Sequence, residues 1–463
     1  MALFRFTLNG NYDLANSNLG YQESVNTEAR TLDFGPGAVV DGYEEFENFL
    51  VYFLDGPGIE YESRIFQLTA QMAGLYGDSS DFDDVTRVTG GDFGDVFRTG
   101  DGDDVLNGGG GNDVLEGGRG INTFDGGTGT NTLSYEHFDA PTEDESGGVG
   151  IDMRAGQGYD YASNTQQDTF INIANIRGSR YGDGIDGNTE NNVIEGGAGS
   201  DYMTGGGGID TLSYAHSEEG VTVDLFGGNG FDGDAQGDYY LGFPNVLGST
   251  SNDVLRGTGD ANTLNGNGGN DELHGRGGND RLVISSSPVI VQGDQGTDLL
   301  FIAKDSTVTL TDITFASIEK VYVRDGASLT MTDVEVGTKI YSQSLTDGRA
   351  TITGTDGADR IQAGRGNDLV TGGQGGDALF GGAGADTFVY ASGDGRDVIR
   401  KFDVAKDKID LSAFADRLDD VNVTSFRGEA NTIVTFGGDS GPADKIILLD
   451  VALTSLTEGS FIF

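Results

Sequence analysis

Between Gly90 and Val389 an apolar residue recurs at every ninth position, in four blocks, against a background of glycine and aspartate. The full phrase is Gly-Gly-x-Gly-x-Asp-x-apolar-x. Its cleanest copies are Gly108–Glu116 (GGGGNDVLE), Gly205–Ser213 (GGGGIDTLS) and Gly381–Val389 (GGAGADTFV). Nineteen copies align, and the eighth position is apolar in all of them, from Phe97, Leu106 and Leu115 to Val370, Leu379 and Phe388. Six glycine-rich residues make a tight loop, because glycine tolerates positive φ and close backbone approach. The remaining x-apolar-x is a minimal strand that buries one side chain. Two nonamers then make one coil, and stacked coils lay the loop of each repeat on the loop eighteen residues later. The pattern predicts an all-β parallel roll.

The blocks run 90–134, 178–213, 248–301 and 354–389. The spacer coils 135–177 and 214–247 are related: Ser134-Tyr135 recurs as Ser213-Tyr214, Gly148–Met153 as Gly220–Leu225, and Gly178-Ser179 as Gly248-Ser249. A larger unit has been duplicated. Residues 302–353 lose the glycines but keep period-two apolar pairs (Val308 and Leu310, Val321 and Val323, Leu329 and Met331), which predicts strands of coils without metal loops. Residues 1–89 form an aromatic-rich head without nonamers, read as an attachment or assembly module of mixed or β structure. Residues 390–463 read as a β cap.

Charge changes the picture next. The 463 residues carry 75 acidic and 27 basic side chains, a net charge of -48. Nucleic acid and anionic membranes are repelled, and multivalent cations attracted. With no cysteine, disulfides and thiolate metal sites are excluded. No stretch is long and apolar enough to span a bilayer, and the start MALFRFTLNG is not a cleavable signal peptide.

Each loop offers carbonyl oxygens and one side-chain oxygen donor at position six, and the loop eighteen residues on offers the same. Hard oxygen donors in a flexible cage suit calcium rather than zinc or copper. The candidate ligands are Asp95, Asp104, Asp113, Asn122, Asn131, Asp183, Asn192, Asp201, Asp210, Asp253, Asn262, Asp271, Asp280, Asp298, Asp359, Asp368, Asp377 and Asp386. Carbonyls of Gly109, Gly111, Gly206, Gly208, Gly373, Gly375, Gly382 and Gly384 would complete the cages. Pairing at eighteen gives six Asp–Asp sites (95/113, 183/201, 253/271, 280/298, 359/377, 368/386) and four weaker ones with one Asn (104/122, 113/131, 192/210, 262/280). The eleventh pair, Asp271 with Val289, predicts an empty site, so about six to ten calcium ions are expected.

These repeats resemble the RTX family, the hemolysin-type calcium-binding repeats of Gram-negative secreted proteins. The resemblance implies a right-handed parallel β-roll or β-helix with calcium between successive loops. It also implies export by a type I ABC transporter reading an uncleaved C-terminal signal, and an extracellular or cell-surface location. The tail segments Gly384–Val389, Gly395–Arg400 and Asp407–Phe414, with the terminal Phe461-Ile462-Phe463, look like the closing cap of such proteins. Ser460 stands where they often carry Asp, with Glu458 two residues earlier.

No catalytic constellation is recognisable. There is no HExxH or GxSxG, and the histidines are His137, His216 and His274. Gly438–Gly441 (GDSG) and Gly77–Ser79 are short chance phrases. Arg360, Arg365, Arg396, Arg400 and Lys401 form a local excess of positive charge, read as balancing the loops. The expected role is a structural, adhesive or surface-layer protein that folds on extracellular calcium. Its partners would be calcium, the transporter, and a second copy of the chain or envelope polysaccharide. The alternative is a polysaccharide epimerase or lyase using the groove of the roll.

Overall fold

The computed structural model describes residues 89–463 except 100–101, 139–146, 162–167, 344–347, 414, 418–419, 429 and 437–443. Before residue 89 only the backbones of Leu3–Leu8, Thr31–Phe34, Phe49–Leu54, Arg64–Gln67 and Arg87–Thr89 are described. The chain divides into one unit of residues 1–214 with 228–243 and a second of 215–227 with 244–463. Both are parallel β-rolls.

In the first unit, Asp95–Arg98, Val114–Glu116, Thr132–Ser134, Asn175–Arg177, Val193–Glu195 and Thr211–Ser213 pair in parallel, in that order. Arg87–Thr89, Val105–Asn107, Thr123–Asp125 and Asp168–Ile171 form a second parallel run. Within a block the register is the repeat itself: Leu106 lies beside Phe124, and Ile194 beside Leu212. Eighth-position side chains are sealed inside, with Leu106, Leu115 and Leu133 at 0% exposure. One methylene-rich side chain per three residues is therefore all the apolar contact a block strand contributes. The spacer 135–177 stays in the stack by diverting its extra residues into an antiparallel pairing of Val149–Asp152 with Gln157–Asp160.

The head is continuous with these sheets at the backbone level. Phe49–Leu54 pairs in parallel with Arg87–Thr89, and Arg64–Gln67 with Asp95–Arg98, so Gly90 is not where the sheets begin. The head's side chains and the Gly77–Ser79 phrase lie outside the described residues, as does Gly438–Gly441.

In the second unit the longest run is Asn245–Leu247, Thr263–Asn265, Arg281–Ile284, Leu299–Ile302, Lys320–Val323, Lys339–Ser342, Arg360–Gln362, Ala378–Phe380, Arg396–Arg400 and Lys445–Leu449. Another joins Thr307–Thr311, Ser328–Asp333, Thr351–Thr353, Leu369–Thr371, Thr387–Val389, Lys408–Asp410 and Phe461–Ile462. Between residues 302 and 353 four strands run to four to six residues, beside the shorter Phe315–Ala316 and Thr351–Thr353, where block coils use mostly three. Val308, Leu310, Leu329 and Met331 are at most 1% exposed, two per strand. The cap closes with Val421–Ser425, Thr432–Phe436 and Lys445–Leu449 paired antiparallel.

Candidate metal centres

The loop turns at its second and fourth positions. Gly109 and Gly111 have φ of 89° and 106°, Gly206 and Gly208 90° and 101°, Gly373 and Gly375 91° and 122°, Gly382 and Gly384 105° and 136°. L side chains rarely adopt such angles. Position one is glycine for another reason: a Cβ on Gly108 or Gly381 would collide with Oδ2 of Asp113 or Asp386, five residues later. The sequence thus clears space around one carboxylate oxygen.

The side chains spaced by eighteen residues do meet, but by a ladder rather than as facing pairs. Oδ1 of each later residue accepts the backbone N–H of the earlier one: Asp113 from Asp95 (2.8 Å), Asn122 from Asp104 (2.9 Å), Asn131 from Asp113 (2.9 Å), Asp201 from Asp183 (2.8 Å) and Asp210 from Asn192 (2.8 Å). Asp271 accepts from Asp253 (3.0 Å), Asp280 from Asn262 (2.8 Å), Asp298 from Asp280 (2.8 Å), Asp377 from Asp359 (2.8 Å) and Asp386 from Asp368 (3.0 Å). At the eleventh position Val289 offers only its backbone N–H to the Asp271 carbonyl, 2.8 Å.

The second oxygen divides these residues. Oδ2 of Asp113, Asp201, Asp210, Asp280, Asp298, Asp368, Asp377 and Asp386 is buried and has no hydrogen-bond partner. In the first repeat of each block the oxygen is taken within its own loop. Asp95 accepts the Gly91 N–H (3.0 Å), Asp183 the Ser179 N–H (2.6 Å), Asp253 the Ser249 N–H (2.8 Å) and Asp359 the Thr355 N–H (2.6 Å). Hydroxyls of Ser179, Ser249 and Thr355 add a further bond. Asparagine closes the loop differently, placing an N–H₂ donor where aspartate has an oxygen. Nδ2 of Asn131, Asn192 and Asn262 donates to carbonyls of Asn172 (3.1 Å), Ala174 (2.8 Å) and Pro244 (2.9 Å).

Five further carboxylates continue the ladder unanticipated by the eighteen-residue spacing. Asp168 accepts from Asn122 (2.7 Å), Asp238 from Asp201 (2.9 Å), Glu319 from Asp298 (2.5 Å), Asp397 from Asp377 (2.9 Å) and Asp407 from Asp386 (3.0 Å). Each of the four aspartates opens an Asp-x-apolar triplet, a signal that survives without glycines. Asp397 also sits behind Gly393 and Gly395, both at positive φ, and its Oδ2 is unpartnered. Asp168 and Asp238 are closed by the hydroxyls of buried Tyr135 and Tyr214, each 2.8 Å from Oδ2. Asp407 is closed by the Asp403 N–H, 2.8 Å.

Burial without a counter-charge penalises the ionised form. Desolvation pushes Asp113 and Asp386 up to about 6, and Asp280, Asp368 and Asp377 up to about 7. In each the neighbouring ladder carboxylate adds to the rise. Burial and then the Asp377 charge raise Asp397 to about 8. A row of buried carboxylates with one free oxygen each, and no cation, fits a divalent ion. Among the described residues no three acidic or histidine side chains converge. The remaining ligands would therefore be loop carbonyls and bound water, as hard-cation cages commonly use. Of the predicted carbonyls, Gly109 and Gly375 already accept the N–H groups of Thr128 and Arg396, leaving one lone pair each.

His137 lies 3.2 Å from Glu116 and His274 2.8 Å from Glu272, so both are engaged at the roll surface. No helix among the described residues is long and apolar enough to cross a membrane.

The sequence profile of the RTX calcium-binding nonapeptide repeat matches four times, at residues 89–124, 177–212, 247–282 and 353–388. No curated protein matches the chain. Among solved structures, the chain is similar to the AlgE6R3 subunit of the Azotobacter vinelandii mannuronan C5-epimerase. Identity there is 27% over 28% of this chain and 78% of that one, with a TM-score of 0.24. The AlgE6R2 subunit of the same epimerase matches at 23% identity over 29% of this chain and 92% of that one, also at 0.24. The extracellular lipase LipA of Serratia marcescens is 15% identical over 82% of this chain and 40% of its own length, at 0.19. Four copies of the profile, falling on the loops whose carboxylates form the ladder, show that this chain carries RTX calcium-binding nonapeptide repeats.

Proposed function

We propose that this calcium-binding β-roll protein is exported unfolded and folds on meeting extracellular calcium, to serve as a structural or adhesive component outside the cell. The observation that carries the reading is the row of unpartnered, buried Oδ2 atoms from Asp113 to Asp386, each on a carboxylate whose other oxygen is already fixed. The ions would be held by Asp113, Asp201, Asp210, Asp280, Asp298, Asp368, Asp377, Asp386 and Asp397 with loop carbonyls. Calcium supplies the positive charge that this acidic chain lacks. Extracellular calcium modules bind at about 0.1–1 mM, far above cytosolic calcium, so binding free energy becomes folding free energy only outside. Type I export through the C-terminal segment, and assembly through the head, belong to the same reading.

Chelator titration followed by far-ultraviolet circular dichroism tests the folding step. Loss of the β signal in excess EGTA and its return with calcium are expected; an unchanged signal overturns it. Light scattering and electron microscopy in millimolar calcium test assembly, where a strict monomer would count against the surface-layer role.

A further inference from the structure

We infer that the second unit carries a binding face for an acidic polysaccharide, built from a column of four cations on the outside of its long sheet. In the strands from Arg281–Ile284 to Arg360–Gln362, the register places Arg281, Leu299, Lys320, Lys339 and Arg360 side by side, one per coil. They come from sequence intervals of 18, 21, 19 and 21 residues, so only folding aligns them. Lys339 and Arg360 are exposed, and Arg281 and Lys320 half-buried.

None of the four forms an ion pair among the described residues, although the chain holds 75 acidic side chains. Elsewhere arginines are neutralised: Arg98 by Glu116, Arg177 by Glu136, Arg256 by Glu272 and Arg276 by Asp224. The acids next to the column each commit an oxygen to the ladder rather than to a cation of the column. Asp280 and Asp298 accept backbone N–H groups, as does Glu319, and Asp359 is held by Thr338 and Thr355. An unneutralised row of cations, broken only by Leu299, is a local reversal of sign on a chain of net charge -48.

Beside it on the same face runs a second column, Phe301, Tyr322, Tyr341, Gln362 and Phe380, in which Phe301 is covered at 4% exposure. Phe301 and Tyr322 stack at 4.9 Å, and Tyr322 and Tyr341 at 5.6 Å. The ring faces are used on each other, so the column offers edges and hydroxyls rather than a flat platform. Arg281 lies 3.8 Å over the Phe301 ring and Arg360 4.6 Å over Phe380, which fixes each guanidinium while leaving its in-plane N–H donors free.

The ligand chemistry follows from the repeat. Lys320, Lys339 and Arg360, on adjacent strands, stand about 4.8 Å apart along the roll, and Arg281 lies one strand further from Lys320, beyond Leu299. That step is comparable to the rise of one sugar in an extended uronate chain, which carries one carboxylate per residue and hydroxyls for the tyrosines. Nucleic acid fits less well: duplex DNA packs a charge every ~1.7 Å of axis, which maximises repulsion from the rest of this chain. A second copy of the protein offers no match, because no outward column of the described sheets aligns more than two acids, such as Asp152 beside Asp186.

The test uses the full chain in calcium with short oligogalacturonates, below gelling length, in a calorimetric titration. Neutral dextran oligomers and single-stranded DNA serve as comparison probes. Binding of the oligouronate alone is expected, with affinity reduced about tenfold or more by Lys320→Glu with Lys339→Glu, and by added salt. The single change Lys339→Ala at an exposed site, with unchanged circular dichroism, should weaken binding by a smaller factor. Lys406→Glu, paired with Asp403 outside the column, should leave binding unchanged. No binding, equal binding of DNA or dextran, or full affinity in the double variant overturns the proposal. This inference rests on an extracellular role only for its purpose. A roll that folds in calcium but ignores oligouronate sinks the face and leaves the calcium-driven folding standing.

Discussion

Coils 354–389 and coils 302–353 belong to the same sheets but are held together by different means. In the first, three-residue strands bury one apolar side chain each, and carboxylates such as Asp368 and Asp386 keep a buried oxygen without a partner. In the second, the strands Thr307–Thr311, Lys320–Val323 and Ser328–Asp333 bury two side chains each, such as Val321 and Val323, and Tyr322 and Tyr341 stack across the outer face. Extra apolar burial supplies in one region what the proposed calcium would supply in the other. At about 25 cal/mol per Å², a second buried aliphatic side chain per strand contributes ~1.5–3 kcal/mol, comparable to what a bound ion supplies at 100 times its Kd.

Calcium removal should separate the two regions most sharply. In hydrogen exchange read by mass spectrometry, peptides from 354–389 should lose nearly all protection in EGTA. Peptides from 307–342 should retain a substantial part of theirs. Uniform loss along the second unit would mean that the apolar coils are not independently stable, and the contrast would fall.

A second, smaller effect distinguishes open from closed carboxylates. Asp386→Asn removes the charge from an oxygen with no partner, whereas Asp407→Asn alters one already satisfied by the Asp403 N–H. The first should raise the calcium midpoint of folding about tenfold, roughly 1.4 kcal/mol, and the second clearly less. Equal shifts would show that the free oxygen does not mark the ion sites.

The acid–base behaviour of the calcium-free chain sharpens the same point. Burial raises Asp280, Asp368 and Asp377 to about 7 from 3.8, so the fold favours their protonated forms. That contribution is present below the unfolded value and is lost as pH rises through the folded one, between about pH 4 and 7. Without calcium, the β signal should be stronger near pH 5 than near pH 7.5. In calcium the ion holds the carboxylate form, and the trend should reverse.

Much of this was legible in the sequence because the period is local. Nine residues specify a loop and a strand, and eighteen specify the neighbour, so the ladder partners from Asp95 with Asp113 to Asp368 with Asp386 could be read directly. The fate of Oδ2 could not be, because it depends on whether position two offers its N–H, as Ser179 does, or turns it away, as Gly197 does at φ 91°. Asp168 and Asp238 were hidden by separations of 46 and 37 residues from their partners, and Asp397 by a two-residue slip after Val389. The cation column was invisible for the same reason: unequal spacers carry its members.

The smallest expected effect concerns the spacers, which stand between the two regimes. Tyr214, 1% exposed, donates to Oδ2 of Asp238, whose Oδ1 holds the Asp201 N–H. The hydroxyl occupies the oxygen that block coils leave free, and Tyr135 repeats the arrangement on Asp168. If tyrosine substitutes for an ion there, Tyr214→Phe leaves a buried carboxylate oxygen unsatisfied, at a cost of about 1–3 kcal/mol. Thermal melts in saturating calcium should show that loss, while the number of ions bound stays the same. A gain of one ion in the variant would be equally informative, since it would show that removing the hydroxyl converts a closed carboxylate into an open one. An unchanged melting temperature with unchanged ion count would mean that the hydroxyl does not stand in for an ion, and the spacers would then belong with the apolar coils.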